Sequence, residues 1–329
     1  MVIIFSERTF TERYIDMYPG PLLVRVAEMY FYQKLSQSQI ANRMKVSIPT
    51  VSRMINEALQ SGIVRVEVRD FEAQVNEVTR EMKAKFGLRE ILAIKTPCPA
   101  EQGHLKKMLA KNAVDLLFRL TEHGDVVGIG PGETVYEMIE SINPERQFPA
   151  VKILPLMGGW GIGGVEYEVN KLVSSMATKL GCDFNLIMAP ALVDSPEVKG
   201  ILFRQPQINH VVSMWDTVNV AVFSLGPEIR SGSYPQLSHE PERLAEARAA
   251  QAVGDVLGRF IDETGTEADL EINRRLISIP FPILKQIPVR IGIGGGSPKI
   301  RAVKAALTGG LINSLVTDYE TCLCIVKED

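Results

Sequence analysis

Five polar residues between Leu35 and Gly62, in LSQSQIANRMKVSIPTVSRMINEALQSG, have the chemistry of base and phosphate recognition. Thr50, Ser52, Arg53, Asn56 and Gln60 carry hydroxyls, amides and one guanidinium, which match base edges and phosphate oxygens. Helical spacing sets them opposite an apolar stripe of Val51, Met54, Ile55, Ala58 and Leu59. Ser47 is placed to cap that helix, and Pro49 falls where a missing N–H costs little. Upstream, Ser36 or Ser38 can cap a shorter helix from Gln37 to Met44. Ile40 and Met44 share one of its faces, and Ala41 is small enough for a close crossing. A tight turn at Lys45 and Val46 joins the two. The spacing predicts a helix-turn-helix that contacts DNA through Gln37, Ser47, Thr50, Ser52, Arg53 and Asn56. Lys45 stands where such turns often use glycine, so mild backbone strain is expected there.

An ordinary helical hairpin inside a larger domain would show the same periodicity. Charge separates the two readings. From Pro21 to Arg69 seven bases (Arg25, Lys34, Arg43, Lys45, Arg53, Arg65, Arg69) face three acids (Glu28, Glu57, Glu67), although the whole chain has a net charge of −3. A basic module on a mildly acidic body suits phosphate binding. Gly62 ends the second helix, and Ile63–Val68 alternates like a strand of a wing hairpin. Pro21 to Lys34 is expected to form an amphipathic helix with Leu22, Val26, Met29 and Phe31 inward. Met1 to Gly20 is expected to be a loose leader or an arm on a neighbouring subunit. Phe71, Val75, Val78, Met82 and Phe86 recur at helical spacing before the stop at Gly87. That helix either links the module to the body and forms a dimer seam, or packs on its own body.

From Leu88 onward short aliphatic runs alternate with glycine turns and helical stretches. Strands are expected at Glu90–Lys95, from Asp125, from Val151, at Phe184–Val193, at Val218–Pro227, from Pro288, at Ile312–Asp318 and at Cys322–Val326. Strands alternating with helices predict a mostly parallel sheet covered on both faces, with ligands at the carboxyl ends of the strands. Three loops would open there. The first is Gly130-Pro131-Gly132-Glu133-Thr134, the second runs from Gly158 to Gly164 through Gly159 and Trp160, and the third is Gly294 to Lys299. Glycines let backbone N–H groups approach a ligand, and a following helix start favours negative charge. Each loop could equally be tight packing. Three together favour a pocket for a small polar molecule. Asp255 lies among apolar residues in AVGDVLGRF, where a carboxylate needs a partner such as sugar hydroxyls or Lys299. An aspartate at a solvated element edge would look the same.

Other chemistry is poorly supported. His104, His123, His210 and His239 have no ligand spacing. Cys98, Cys182, Cys322 and Cys324 complete no zinc site and read as core-filling thiols of a reducing cytoplasm. The second loop has GxGG rather than GxGxxG and lacks a following acid at dinucleotide spacing, so no cofactor is expected. At 329 residues, 46% hydrophobic and 23% charged, the chain is an ordinary two- or three-domain globular protein. No apolar run approaches the roughly 20 residues needed to span a bilayer. The rival reading is an isomerase or hydrolase of sugar phosphates with a helical N-terminal extension, using Asp255 and Glu133 as acid and base.

Several segments resemble, in order, the SorC family of sugar-responsive bacterial transcriptional regulators. They are SQSQIANRMKVSIPTVSRMINEALQSGIVRVEV, VVGIGPGETVYEMI, LPLMGGWG, VVSMWDTVNVAVFSLGP, QAVGDVLGRFID and GIGGGSPKIRAVKAALTGGLINSLVTDYET. The resemblance implies an α/β protein with a winged helix-turn-helix and an effector domain similar to sugar-phosphate isomerases and deaminases. The expected boundaries are 1–69 for the leader and DNA-binding domain, 70–87 for the linker helix and 88–329 for the effector domain. The implied partners are double-stranded operator DNA, a small carbohydrate effector and a homo-tetramer built as a dimer of dimers. Gly130, Gly132, Glu133 and Thr134 would contact the effector, Asp255 and Leu257 would line its pocket, and Lys299 would meet a hydroxyl or phosphate. Gly158 and Gly159 complete the expected set. Some phosphate-sensing members carry Arg or Lys where this chain has Met157. That difference, with Glu133 nearby, points to an uncharged sugar or polyol.

Overall fold

In the computed structural model, the strands of the larger unit are built from aliphatic runs too short to stand alone. Those of the main sheet are followed or preceded by helices that cover its faces. The structure describes residues 2–5, 18–67, 71–96, 101–161, 167–228 and 241–327. Contacts divide the chain into two units, Met1–Glu72 and Ala73–Asp329.

The first unit holds β1 (Val2–Phe5), α1 (Gly20–Ala27), α2 (Gln37–Met44), α3 (Ile48–Gln60) and β2 (Val64–Glu67). Leu23, Val26, Ile40, Ala41, Val51, Met54, Ile55 and Ala58 form its core. The expected single helix from Pro21 to Lys34 is interrupted. After α1 the backbone widens into a π turn over Glu28–Tyr32, with Gln33 N–H donating to Glu28 O at 3.0 Å. Leu23, Val26 and Met29 are buried while Leu22 and Phe31 are only partly covered. The wider turn shifts the inward face only after Ala27, and in α1 the buried stripe runs through Leu23 and Val26. The strand expected of a wing exists, but its partner is the start of the chain. The β1 and β2 strands pair antiparallel, Val2 with Glu67 and Phe5 with Val64. The loose-leader expectation therefore fails at residues 2–5, because β2 has an open edge that an extended apolar segment can satisfy. Residues 6–17 and Val68 lie outside the described residues.

The second unit follows as α4 (Phe71–Phe86), β3 (Glu90–Ile94), α5 (Gln102–Leu120), β4 (Val126–Ile129), α6 (Glu133–Glu140), β5 (Lys152–Pro155), α7 (Val169–Leu180), β6 (Asp183–Phe184), α8 (Pro196–Phe203), α9 (Pro206–Ser213), β7 (Val220–Ser224), α10 (Pro241–Ala249), β8 (Gly254–Val256), β9 (Arg259–Ile261), α11 (Glu271–Arg275), α12 (Phe281–Leu284), β10 (Val289–Ile293), α13 (Ile300–Thr308), β11 (Ser314–Asp318) and α14 (Tyr319–Lys327). Seven strands form one parallel sheet in the order β3-β11-β10-β7-β4-β5-β6. Strand alternation divides the core between its faces. Val220 and Val222 pack with α5, α6 and α7, while Ala221 and Phe223 pack on the opposite side with α13 and α14.

The α4 helix packs on its own body, at least through Val78 and Met82, which are buried in the main core. Two strand expectations fail. Phe184–Val193 gives only the two-residue β6 and then isolated bridges, Gly159 with Pro190 and Leu192 with Leu276. Cys322–Val326 lies within α14, with Cys322 buried, so apolar alternation there reflected a helix face. Among the described residues no helix is long and apolar enough to cross a membrane.

Candidate functional site

In the first unit the local sequence fixes both helix starts. Gln39 N–H donates to Ser36 Oγ at 3.3 Å and Ser36 N–H donates to Gln39 Oε1 at 2.9 Å. This reciprocal capping box selects Ser36 over Ser38. Ser47 accepts from Thr50 N–H at 3.3 Å, and its hydroxyl meets that of Thr50 at 2.8 Å. Both residues therefore set the start of α3, whatever else they touch. Lys45 has φ of +56°, the left-handed conformation expected of it. Arg53 and Asn56 are exposed on α3, and Ser47 is exposed at its cap. Gln37, Thr50 and Ser52 are partly covered.

In the second unit the chain leaves β4 toward β5 but leaves β7 toward β10, and β4 and β7 are neighbours. The loops after β4 and β7 therefore diverge and leave a crevice at the carboxyl edge, the place where open parallel sheets bind ligands. Gly130 and Gly132 line one side. Gly130 N–H donates to Val222 O at 3.0 Å, which ties the loop to β7. Gly132 has φ of +124°, and a Cβ there would lie 2.7 Å from Ser224 Oγ, so glycine is required. Among the described residues no side chain caps α6, which starts at Glu133. Its first amides and the helix dipole face the crevice mouth. Glu133 pairs with Lys106 of α5, and Thr134 is buried.

The β8–β9 hairpin closes the other side. Leu225 bridges to Val256, and Gly226 N–H donates to Asp255 O at 2.9 Å. A Cβ on Gly226 would lie 1.7 Å from Asp255 Oδ1, so the carboxylate rests directly on that backbone. Asp255 Oδ2 also accepts from Gly258 N–H at 3.0 Å. Leu257 and Gly258 have φ of +53° and +80°, a type I′ pattern in which leucine is a costly first residue. Lys299 keeps some surface in solvent, but its ammonium lies inside the packed edge. Burial pulls its pKa from 10.5 to about 8, against the upward pull of the Asp255 carboxylate; Lys106 lowers it further and Glu133 raises it. The first loop, Asp255, Leu257 and Lys299 thus meet around one crevice.

The second loop, and the third loop at Gly296, serve the fold. Gly158 N–H donates to Ile277 O at 2.8 Å, Gly159 N–H to Ala189 O at 3.0 Å, and Gly161 N–H to Glu168 Oε1 at 2.7 Å. These amides are already used, and Gly158 admits the close backbone of Pro190. Met157 is fully buried against Gly258. In the third loop, Gly296 N–H donates to Asp318 Oδ2 at 2.7 Å and Thr321 Oγ1 at 3.0 Å. The sequence did not single out Asp318, Ser224, Gly226 or Lys106. Only Gly226, in the Gly-Pro after a strand, carried a local signal. His104, His123 and His210 are exposed. His239, Cys98, Gly163 and Gly164 lie outside the described residues. Among those described, no group of His, Cys, Asp and Glu could hold a metal.

The Sugar-bind family of sugar-binding domains matches residues 72–327, and the sigma-70 region 4 family matches residues 25–61. The chain belongs to the SorC family. It is 30% identical over 309 residues to the sorbitol operon regulator of Klebsiella pneumoniae, covering 93% of this chain and 98% of that protein. It is 27% identical over 314 residues to the deoxyribonucleoside regulator of Bacillus subtilis, covering 95% and 100%. The crystal structure of full-length SorC from K. pneumoniae superposes with a TM-score of 0.72 at 28% identity, covering 93% of this chain and 99% of that one. This SorC-family chain is accordingly a transcriptional regulator with a helix-turn-helix and a sugar-binding domain. Its relatives are regulators, which removes the isomerase-or-hydrolase reading.

Proposed function

We propose that this regulator controls a carbohydrate-utilisation operon in the cytoplasm and binds a neutral sugar or polyol in the crevice between β4 and β7. The uncapped start of α6, facing Asp255 and Lys299 across the topological switch point, carries this reading. Gly132, Glu133 and Thr134 offer backbone and side-chain groups to hydroxyls, and Gly130, whose N–H is taken by Val222 O, leaves room beside them. Asp255 accepts from a hydroxyl pair, Leu257 forms the apolar floor and Lys299 donates. Gly158 and Gly159 support that wall from behind. Each cation at the rim faces a carboxylate: Lys106 faces Glu133, Lys299 faces Asp255, and Arg301 faces Glu228 and Glu263. A phosphate would have to compete with those carboxylates, whereas hydroxyls can satisfy donors and acceptors together.

In the first unit Arg53 and Asn56, with Ser52, Thr50, Ser47 and Gln37, meet the operator. Two recognition helices in a tetramer built as a dimer of dimers would read half-sites about one turn apart or a multiple of that. Effector and operator each favour one subunit arrangement, so each changes the other's affinity by one shared factor. Calorimetry with sorbitol and its phosphate, beside other polyol pairs, tests the ligand class. Binding confined to the phosphates would reject it. Sedimentation gives the assembly state.

A further inference from the structure

The α3 helix hides most of its apolar side chains. Val51, Met54, Ile55 and Ala58 are at most 5% exposed, whereas Ile48 is 50% exposed. Ile48 is the first residue of the helix, immediately after the Ser47 cap. On the open side it is followed by exposed Pro49 and Arg53, with Asn56 two turns on. Residues at the start of a recognition helix are those that reach base edges in the major groove. Isoleucine has no donor or acceptor to offer there. The apolar group on the floor of that groove is the thymine C5-methyl. The adjacent hydroxyls of Ser47 and Thr50 are occupied with each other and with the helix start. Arg53 and neighbouring exposed Lys45 and Arg43 supply the positive charge that brings a phosphate backbone to this face.

We infer that Ile48 determines sequence specificity by packing on a thymine methyl in each operator half-site, an inference that rests on α3 being the DNA-reading helix. The match is between an apolar side chain that folding leaves in water and a methyl that duplex formation leaves in the groove.

The full-length protein is used to select duplexes from a randomised library, and each recurrent thymine is then replaced by deoxyuridine, which removes only the methyl. Binding by the wild type is expected to weaken about fourfold per half-site at one symmetry-related thymine pair. Ile48→Ala should weaken binding to the thymine duplex comparably and be indifferent to that replacement. Its circular dichroism should match the wild type, because the side chain is outside the core. Three results overturn the inference. They are a recurrent site without thymine, wild-type binding indifferent to every methyl removal, and unchanged methyl sensitivity in Ile48→Ala. If Ile48→Ala alters sedimentation but keeps that sensitivity, Ile48 belongs to a subunit contact instead. Failure to enrich any sequence would defeat the DNA-reading role of α3 itself, a distinct outcome.

Discussion

Leu257 occupies the space that a side chain at Gly130 would need: a Cβ built on Gly130 lies 2.5 Å from Leu257 Cδ2 and 2.8 Å from Phe223 Cβ. This contact joins the loop after β4 to the turn of the β8–β9 hairpin. It also explains why a leucine is kept at φ +53°, where asparagine or glycine would be easier. Gly130→Ala must push the hairpin outward, since Phe223 Cβ cannot move freely. We expect a stability loss of about 1–3 kcal/mol, the usual range for overpacking. Effector affinity should fall while effector-free operator binding persists. Calorimetry and gel shift on the same preparation check both.

Lys299 should make effector binding depend on pH. Its folded pKa of about 8 lies below its usual 10.5 because burial disfavours the charged form. Between these values the folded state binds fewer protons than the unfolded state. This group's contribution to stability therefore rises with pH through that window, and its penalty is fully present below about 8. Binding runs the other way, because an ammonium is a stronger donor than an amine. Polyol affinity should decline as pH rises through about 8. Lys299→Met should bind about tenfold weaker at pH 7 and show no inflexion. Titration calorimetry from pH 6.5 to 9 reads both, and an unchanged inflexion in the variant would remove Lys299 from the site.

Asp318 holds the third loop in place. Its Oδ2 accepts from Gly296 N–H and Thr321 Oγ1, the latter at 2.7 Å, and its Oδ1 accepts from Thr321 N–H at 3.0 Å. The carboxylate is 3% exposed. Asp318→Ala strands those donors and should cost about 2–4 kcal/mol, seen as a lower midpoint in urea unfolding. Because Lys299 ends this loop, effector binding should weaken as well.

The helix-turn-helix was legible because its determinants are local. Ser36, Ser47, Pro49 and the stripe from Val51 to Ala58 each act within one or two turns. The parallel sheet was legible through aliphatic runs followed by glycine turns. What escaped depends on distant partners. Nothing near Val2–Phe5 announces that it will pair with Val64–Glu67. The Phe184–Val193 run reads as a buried strand, yet it starts on the edge strand β6 and leaves the sheet after Phe184, with Phe184, Leu186 and Met188 exposed. The crevice was only partly visible. Gly130, Asp255 and Lys299 could be picked out, but their meeting is a property of strand order. Gly158 and Gly159 looked like Gly130 in sequence, and the N–H of each bonds a backbone carbonyl; what sets Gly130 apart is that its loop leaves β4 beside β7 and meets Leu257.

Lys45 and Arg53 lend themselves to opposed readouts. Lys45 carries the left-handed conformation at the end of α2, which costs a non-glycine residue about 1 kcal/mol. Lys45→Gly relieves that strain but adds freedom to the unfolded chain, so the net gain should be about 0.5 kcal/mol. It also removes an exposed cation beside the recognition helix. Stability of the N-terminal unit should rise in calorimetry while DNA affinity falls. If Lys45 meets a phosphate, the slope of log affinity against log salt should shrink by about one. Arg53→Ala has no strain to relieve and should leave the melting temperature within about a degree. Its operator binding should weaken by about tenfold or more, with lost sequence preference if Arg53 meets guanine and a reduced salt slope alone if it meets phosphate. Unchanged binding in Arg53→Ala at physiological salt would remove that face of α3 from the DNA interface.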